Sequence, residues 1–467
     1  MRFSTAVGLF TTLLFTVSAF GSPAIRKYRY PGPGELSKRD PYNSLSNWNH
    51  AKFATIGFAT SEAVRNPIVQ YWPRGRDSRR PHGNRQHDHE TEHFGRISVS
   101  KGESFPFVDG GTANHTIYIH NVRLANLNPY TIYQYRVGTI DQAGKETWAD
   151  KVFEFHTLTK GDVVNFIATA DLGLDNAVAY PYMVAQAKSH NFDFLTLSGD
   201  QAYDMADFNG TKGDQYMNFA QDLFANVPFM GGVGNHEYAY NFSHWKNRFS
   251  NVPYRESNFA NPMQYSYSYK SLHIISFSTE IYFEGSPNEI TTALNWLEKD
   301  LQEANKERHE RPWIIVMSHH PAYCTSYADA SDTSCLDDTA TVRDGPLING
   351  VRSGGIEDLL LKYKVDVYLT GHRHNYERTY PIAKGKATSL SYDKAPSYFE
   401  VLVGNSGNFE ETVPFNNSAK PEWSAVRYSG YGFSTVKATP HTLEFTHWSA
   451  NVNGSQGKII DHFVATK

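Results

Sequence analysis

Five short segments of this chain place carboxylates, imidazoles, an amide and a phenol just after apolar runs that read as strands. Asp171 follows Val163 to Ala170, Asp200 and Tyr203 follow Phe192 to Leu197, and Asn235-His236-Glu237 follows Phe229 to Val233. His319 follows Trp313 to Met317, and Gly371-His372-Arg373-His374 follows Val365 to Leu369. Taken singly, an Asp after a strand is a helix cap or a turn residue. Two histidines one residue apart are likewise an ordinary strand pair. Together they set hard oxygen and imidazole donors at five strand ends, which can meet only above one edge of a sheet. That donor mixture suits two metal ions about 3.5–4 Å apart, provided one ligand is shared. Asp200 is the central carboxylate and has two oxygens with which to bridge. Tyr203 stands three residues further on. A free phenol titrates near pH ~10, so a phenolate ligand calls for a strongly Lewis-acidic ion such as Fe(III).

Two adjacent cations lower the pKa of bound water and neutralise charge on a phosphoryl group. The chemistry expected is direct phosphoryl transfer to a metal-bound hydroxide, without a covalent phospho-enzyme. His236, next to Asn235, is the candidate general acid for the departing alkoxide, and nearby cations should push its pKa down. An acid optimum, below about pH 7, follows from that pair of demands. His320 is a candidate either for contact with substrate or for packing behind the ligands. Glu237 and Glu377 are candidates for orienting ligand imidazoles through hydrogen bonds. Arg373 lies between two candidate ligands, and strand alternation sends its side chain away from them.

The ordered series Asp171-x-Gly173, Gly199-Asp200-x-x-Tyr203, Gly234-Asn235-His236-Glu237, Val316-x-x-His319 and Gly371-His372-x-His374 resembles the purple acid phosphatases of the calcineurin-like metallophosphoesterases. The Tyr of the second motif marks that branch. Segments Tyr130 to Val137 and Phe153 to Thr157 are similar to the end of the fibronectin-like N-terminal domain of plant-type, high-molecular-weight members. Gly404-Asn405-Ser406-Gly407-Asn408 and the strand-rich tail to Trp448 resemble their C-terminal portion. The resemblance implies an Fe(III) site built by Asp171, Asp200, Tyr203 and His374. It implies a second site for Zn, Mn or Fe at Asn235, His319 and His372, with Asp200 bridging. It further implies a secreted acid phosphatase acting on small phosphate monoesters. This sequence departs from the pattern at Ala170, where the family usually has Gly. It also departs after His319, where His320-Pro321-Ala322-Tyr323 leads into a Cys-containing loop instead of the His pair of plant members. A metallophosphodiesterase acting on nucleotides or lipid head groups is the rival enzyme reading, and Tyr203 argues against it. A non-catalytic adhesion or carbohydrate-binding module is the rival of another class, and the complete ligand set argues against that. Phytate, sugar phosphates, nucleotides and phosphoproteins share one terminal group, so selection among them is expected in loops such as Tyr323 to Asn349.

The elements that must position these residues change character along the chain. Residues 40–160 carry short strand-like runs separated by turns, the pattern of an antiparallel, fibronectin III-like all-β sandwich. Inside it, Arg74 to His93 reads as a polar loop with His82, His87, His89 and His93. Residues 161–467 alternate compact apolar runs with amphipathic segments such as Tyr182 to Ser189, Asp214 to Phe224 and Glu289 to Gln302. That alternation predicts an α/β domain with its ligands at the carboxyl ends of the strands. The resemblance makes it a metallophosphoesterase β-sandwich core flanked by helices, with the C-terminal strands included.

The 467 residues carry 44 basic and 48 acidic side chains, a net charge of -4, which excludes a basic footprint for nucleic acid. A hydrophobic content of 40% excludes general disorder. Residues 1–21 combine Arg2, an apolar run from Val7 to Phe20 and a small-residue exit, as in a secretory signal peptide. Residues 22–39 end in Lys38-Arg39 and read either as a short propeptide or as a linker. No later run of about 20 apolar residues offers a membrane anchor. The expectation is a secreted protein of the extracellular space or cell wall. Sequons at Asn114, Asn209, Asn241, Asn416 and Asn453 offer sites for N-linked glycans. Cys324 and Cys335 are the only cysteines, and an oxidising compartment would let them close one small loop, free thiols or an intermolecular bridge being the alternatives.

Overall fold

A computed structural model of the chain describes residues 53–467 apart from 65, 76–96, 142, 158–160, 330–331, 416–419 and 453–456, together with a strand at Thr16–Ser18. The remainder of the signal-peptide reading, Lys38-Arg39, the histidines of 82–93 and the sequons at Asn416 and Asn453 lie outside the described residues.

The first module is antiparallel throughout. Phe53–Thr60, Thr116–Ala125 and Glu103–Val108 form one sheet, whose edge Thr16–Ser18 joins. Ser98–Lys101, Asn66–Pro73, Ile132–Ile140, Glu146–Trp148 and Phe153–His156 form the other. Alternation along each strand sends Ala54, Ile56, Phe58, Val69, Tyr133, Tyr135, Val137 and Phe155 into a shared core. The module sits directly on the larger domain: the Tyr135 hydroxyl donates to the Ala225 carbonyl at 2.8 Å, and Lys151 pairs with Asp222.

The larger domain is a sandwich of two sheets. One runs in the order Phe229–Gly232, Phe194–Ser198, Val164–Thr169, Gly432–Ala438, Thr442–Ser449, Ile459–Thr466, with the first three strands parallel. The other runs Tyr265–Tyr269, Leu272–Ser276, Trp313–Met317, Val367–Thr370, Phe399–Val403, Tyr376–Thr379, Ser424–Tyr428, and its four inner members from Leu272 to Val403 are parallel. The strands read as unbroken apolar runs because both of their faces are covered. Phe166, Phe194, Met230, Ile274, Ile315, Leu369 and Val401 fill the space between the sheets. Helices Tyr180–Lys188, Thr211–Phe224 and Ala239–Arg248 cover one outer face, and Pro287–Lys306 covers the other. The last helix starts where Ser286 and Glu289 exchange capping hydrogen bonds.

The C-terminal strands are structural members of the core, since Gly432–Ala438 pairs antiparallel with Val164–Thr169 in the centre of its sheet. Cys324 and Cys335 are joined by a disulfide with Cα atoms 5.1 Å apart. Asn114, Asn209 and Asn241 are exposed. Among the described residues no helix is long and apolar enough to cross a membrane.

Tyr135 and Ala225 are both fully buried, so losing the hydroxyl would strand the carbonyl at the end of a helix. Tyr135→Phe is expected to lower unfolding stability by about 1–3 kcal/mol, read as a drop in the denaturant midpoint with unchanged slope.

Candidate metal centre

The ends of the parallel strands deliver the candidate ligands, but the chain must turn sharply to aim them. Asp171, Asp200, Tyr203 and His372 all have left-handed backbones, with φ of 59°, 53°, 57° and 69°. Such conformations are costly for residues with a Cβ, and they persist where surrounding contacts dictate them. Two glycines make the close approach feasible. A Cβ on Gly234 would lie 2.3 Å from Asp200 Oδ1, and one on Gly371 would lie 2.4 Å from Asp171 Oδ2.

The side chains fall into two groups that meet at Asp200. In the first, Tyr203 Oη lies 2.7 Å from His374 Nε2 and 3.2 Å from Asp171 Oδ1. In the second, Asn235 Oδ1 lies 3.0 Å from His319 Nε2 and 3.1 Å from His372 Nδ1. Asp200 Oδ2 is 3.0 Å from His319 Nε2, and donor atoms of Asp171, Asp200 and His319 all lie within 4.8 Å of one another. Asp171, Asp200, Tyr203 and His319 are buried, whereas His372 is half-buried and Asn235 is exposed, so the cluster opens to solvent on the second side.

The atoms facing one another carry lone pairs, and this is where a cation fits. His319 Nδ1 donates to the Ser198 carbonyl at 2.8 Å, which leaves the Nε2 lone pair aimed at Asp200 Oδ2 and Asn235 Oδ1. Without a positive charge between them these atoms repel. The chain alone relieves this by taking up a proton: burial disfavours charge on His319, but Asp200 and Asp171 hold its pKa well above the usual value. Asp200 is correspondingly pushed low despite its burial, by His319 and His236. His372 is held well below the imidazole range by burial and by His320 and His319, so it is neutral, the form that binds metals. Burial, Asp171, Asp200 and Glu410 raise the Tyr203 phenol well above its ordinary value. Only a highly charged ion in contact with that oxygen could ionise it, in keeping with Fe(III).

His236 stands beside this cluster, its ring centroid 4.4 Å from that of Tyr203. Its Nδ1 lies 3.2 Å from Asp204 Oδ1, and its Nε2 lies 3.6 Å from Glu410 Oε1. Burial would lower its pKa, but the hydrogen bond to Asp204 and the charges of Asp200, Asp204 and Glu410 push it up to about 9. The downward shift expected from cations is therefore opposed by carboxylates that sequence reasoning overlooked. Asp204 carried a signal in directly following Tyr203. Glu410 and Asn408, whose amide donates to Tyr203 Oη at 2.6 Å, carried none beyond the glycine-rich motif in which Asn408 sits.

Glu237 and Glu377 act otherwise than expected, whereas His320 packs, one of the two roles expected of it, and Arg373 points outward as expected. Among the described residues Glu237 bonds to no imidazole. Its carboxylate receives the backbone N–H groups of Asp200, Gln201 and Gly234 at 3.0, 2.8 and 2.8 Å, tying two ligand loops together. Glu377 accepts from Thr325 N, Thr325 Oγ1 and Ser424 Oγ, again with no imidazole. His320 is only 4% exposed and is stacked between Phe283 and His372, with centroids 4.2 and 3.9 Å away. Its Nε2 lies 3.3 Å from Glu280 Oε1, and donor atoms of His319, His320 and His372 lie within 4.8 Å of one another. Arg373 does point away from the donors, but by a turn, since its strand ends at Thr370. For the two glutamates the reason is burial: a carboxylate shut away from water takes whatever donors are nearest, backbone N–H groups at Glu237 and one N–H and two hydroxyls at Glu377.

Comparison with known proteins accords with this geometry. Three family descriptions tile the chain: purple acid phosphatase N-terminal domain over residues 43–157, calcineurin-like phosphoesterase over 164–376, and iron/zinc purple acid phosphatase-like protein C over 397–462. Acid phosphatase type 7 of Homo sapiens is 36% identical over 372 residues, covering 78% of this chain and 80% of the relative. Fe(3+)-Zn(2+) purple acid phosphatase 12 of Arabidopsis thaliana is 26% identical over 445 residues, covering 91% of this chain and 83% of the relative. The solved purple acid phosphatase PPD1 from yellow lupin shares the fold, with a TM-score of 0.65 at 20% identity over 90% of this chain and 72% of that one. With donors arranged around a shared carboxylate and relatives matched along most of its length, the chain belongs to the purple acid phosphatases within the calcineurin-like phosphoesterases.

Proposed function

We propose that this chain is a secreted acid phosphatase that hydrolyses small phosphate monoesters at a dinuclear centre of Fe(III) and a divalent ion, Zn, Mn or Fe. The observation that carries the reading is the pair of donor groups sharing Asp200, one containing Tyr203, with an acid-flanked His236 beside them. Asp171, Asp200, Tyr203 and His374 would hold Fe(III), and Asn235, His319 and His372 would hold the divalent ion with Asp200. Bound there, the two ions supply Lewis-acid charge that activates water and neutralises phosphoryl oxygens. Secretion rests on residues 1–21, and glycan attachment on the exposed sequons at Asn114, Asn209 and Asn241.

The remaining work falls to the chain itself. His319 is kept in one tautomer by the Ser198 carbonyl, which aims its free nitrogen at Asp200. Glu237 fixes the loops of Asp200 and Asn235 relative to each other through backbone amides. Asp204 holds Nδ1 of His236 and Glu410 faces Nε2, so the ring is fixed beside the metal ligands, from where its proton would pass to the leaving oxygen. Carboxylates on both sides of the ring keep that proton in place.

The direct test assays monoester and diester substrates in parallel, with metal analysis and a visible spectrum of the same preparation. Two metals per chain, a preference for monoesters and a Tyr203-dependent visible band are expected. Tyr203→Phe should abolish the band. A colourless, iron-free and fully active wild type would overturn the assignment.

His236→Ala should cut turnover of alkyl esters by about 10²- to 10⁴-fold and that of an activated aryl ester far less, because a weakly basic leaving group needs little protonation. An equal loss on both substrates at unchanged metal content would make His236 a purely electrostatic residue.

The acid form of His236 is lost as pH rises through its pKa, so turnover of alkyl esters falls on the alkaline side. Bound cations act against Asp204 and Glu410, and the optimum is expected below about pH 7. Asp204→Asn removes a negative charge and an acceptor, which lowers that pKa and should move the alkaline limb to lower pH. A limb that stays put in a pH–rate series would show that another group sets it.

A further inference from the structure

The turn that carries His372 and His374 is under strain and has an unexpected support. His372 lies in the left-handed region, and the N–H groups of Arg373 and Asn375 close tight turns onto Gly371 O and Arg373 O at 2.8 and 2.7 Å. Such a backbone needs neighbours that hold it in place. Arg373, between the two histidines, is 7% exposed and turned away from the donor cluster. Its Nε donates to Ser326 Oγ at 2.8 Å, and its guanidinium pairs with Asp332, whose side chain is 8% exposed. Both acceptors belong to the loop closed by the Cys324–Cys335 disulfide.

That loop and the residues leading into it are anchored at several points. The N–H groups of Ala322 and Tyr323 donate to Glu400 at 3.2 and 3.0 Å, and Thr325 donates to Glu377, both glutamates lying on strands of the larger sheet. Ser326 pairs as a bridge with Phe415, Tyr327 N donates to Pro414 O at 2.9 Å, and Val413 N donates to His374 O at 3.0 Å. The loop therefore contacts the ligand turn twice, through Arg373 and through the segment that follows Glu410.

We propose that Arg373 is a positioning residue, which pins the strained His372–His374 turn to the disulfide loop and so keeps the imidazole of His372 aimed at the divalent ion. This rests on the metal-centre reading above. A planar fork reaches Ser326 and Asp332 together, which a lysine ammonium on a flexible stem does not.

The test uses metal-loaded protein: wild type, Arg373→Ala, Arg373→Lys and Asp332→Asn are challenged with a chelator while release of each metal, the visible band, kcat and KM are followed. Arg373→Ala should weaken retention of the divalent ion by about 10- to 100-fold, the range seen when the support of a metal ligand is removed, and lower kcat more than it raises KM. Arg373→Lys should fall between, and Asp332→Asn should move the same way. The double variant Arg373→Ala/Asp332→Asn should be no worse than Arg373→Ala, since the pair acts as a unit. Should Arg373→Ala fail to fold, Arg373→Lys and Asp332→Asn decide the matter by the same readout. Variants that melt earlier yet keep both ions as wild type does would overturn the inference and leave Arg373 as packing. A wild type that binds no metal overturns the metal-centre reading and this inference with it. A metal-loaded wild type matched by every variant overturns this inference alone.

Discussion

The structure turns on one electrostatic demand: atoms with lone pairs face one another around the buried Asp200, and protons or cations between them must satisfy them. His319 Nε2 confronts two oxygens at 3.0 Å, and the Asp171 carboxylate lies close to the Tyr203 phenol. An ordinary core would replace such groups with apolar side chains, because unpaired polar atoms in a dry interior are costly. Here the demand is met by shared protons when the chain is alone, and cations of the right charge and spacing would meet it better. The opposed shifts of His319, His372 and Tyr203 express the same demand at three atoms.

Holding that arrangement together is the task of the sandwich. Strands buried on both faces leave no freedom to slip, since any slip would break contacts such as the Phe166–Phe194 stack at 4.8 Å between neighbouring strands. Fixed strand ends then allow the left-handed turns at Asp171, Asp200 and His372. The buried carboxylate of Glu237 works at the next level, joining two ligand loops by three backbone hydrogen bonds. The strand Gly432–Ala438 completes the same sheet from the far end of the chain. The preceding glycine-rich segment brings Asn408 and Glu410 to the site, so core packing and site assembly share one closure.

His236 shows how two influences of opposite sign are balanced at one group. Asp204 and Glu410 hold its proton, while cations at the neighbouring site would release it. A general acid must keep its proton until the leaving group needs it, then give it up, so a pKa set between these influences suits the task.

Much was legible in the amino-acid order. Apolar runs ending in Asp171, Asp200, Asn235, His319 and His374 marked strand ends, because strands covered on both faces must be apolar and the polar residues that follow must lie outside. That those donors meet at one edge of a sheet was implied by chemistry and spacing, whereas their division into two metal sites was implied only by the resemblance to the family. The roles of Glu237 and Glu377 were not legible, because a buried polar group bonds to whatever the fold brings near, and their neighbours come from distant segments. Asp204 was adjacent in sequence but its contact with His236 was not, and Glu410 reaches His236 across 174 positions through the closure of the C-terminal strands. Local order thus determined which residues could bind metal, since that depends on side-chain type and strand position. Only the tertiary structure decided which carboxylates surround the acid and which residues brace the ligands, because those contacts form between parts of the chain that no local pattern connects.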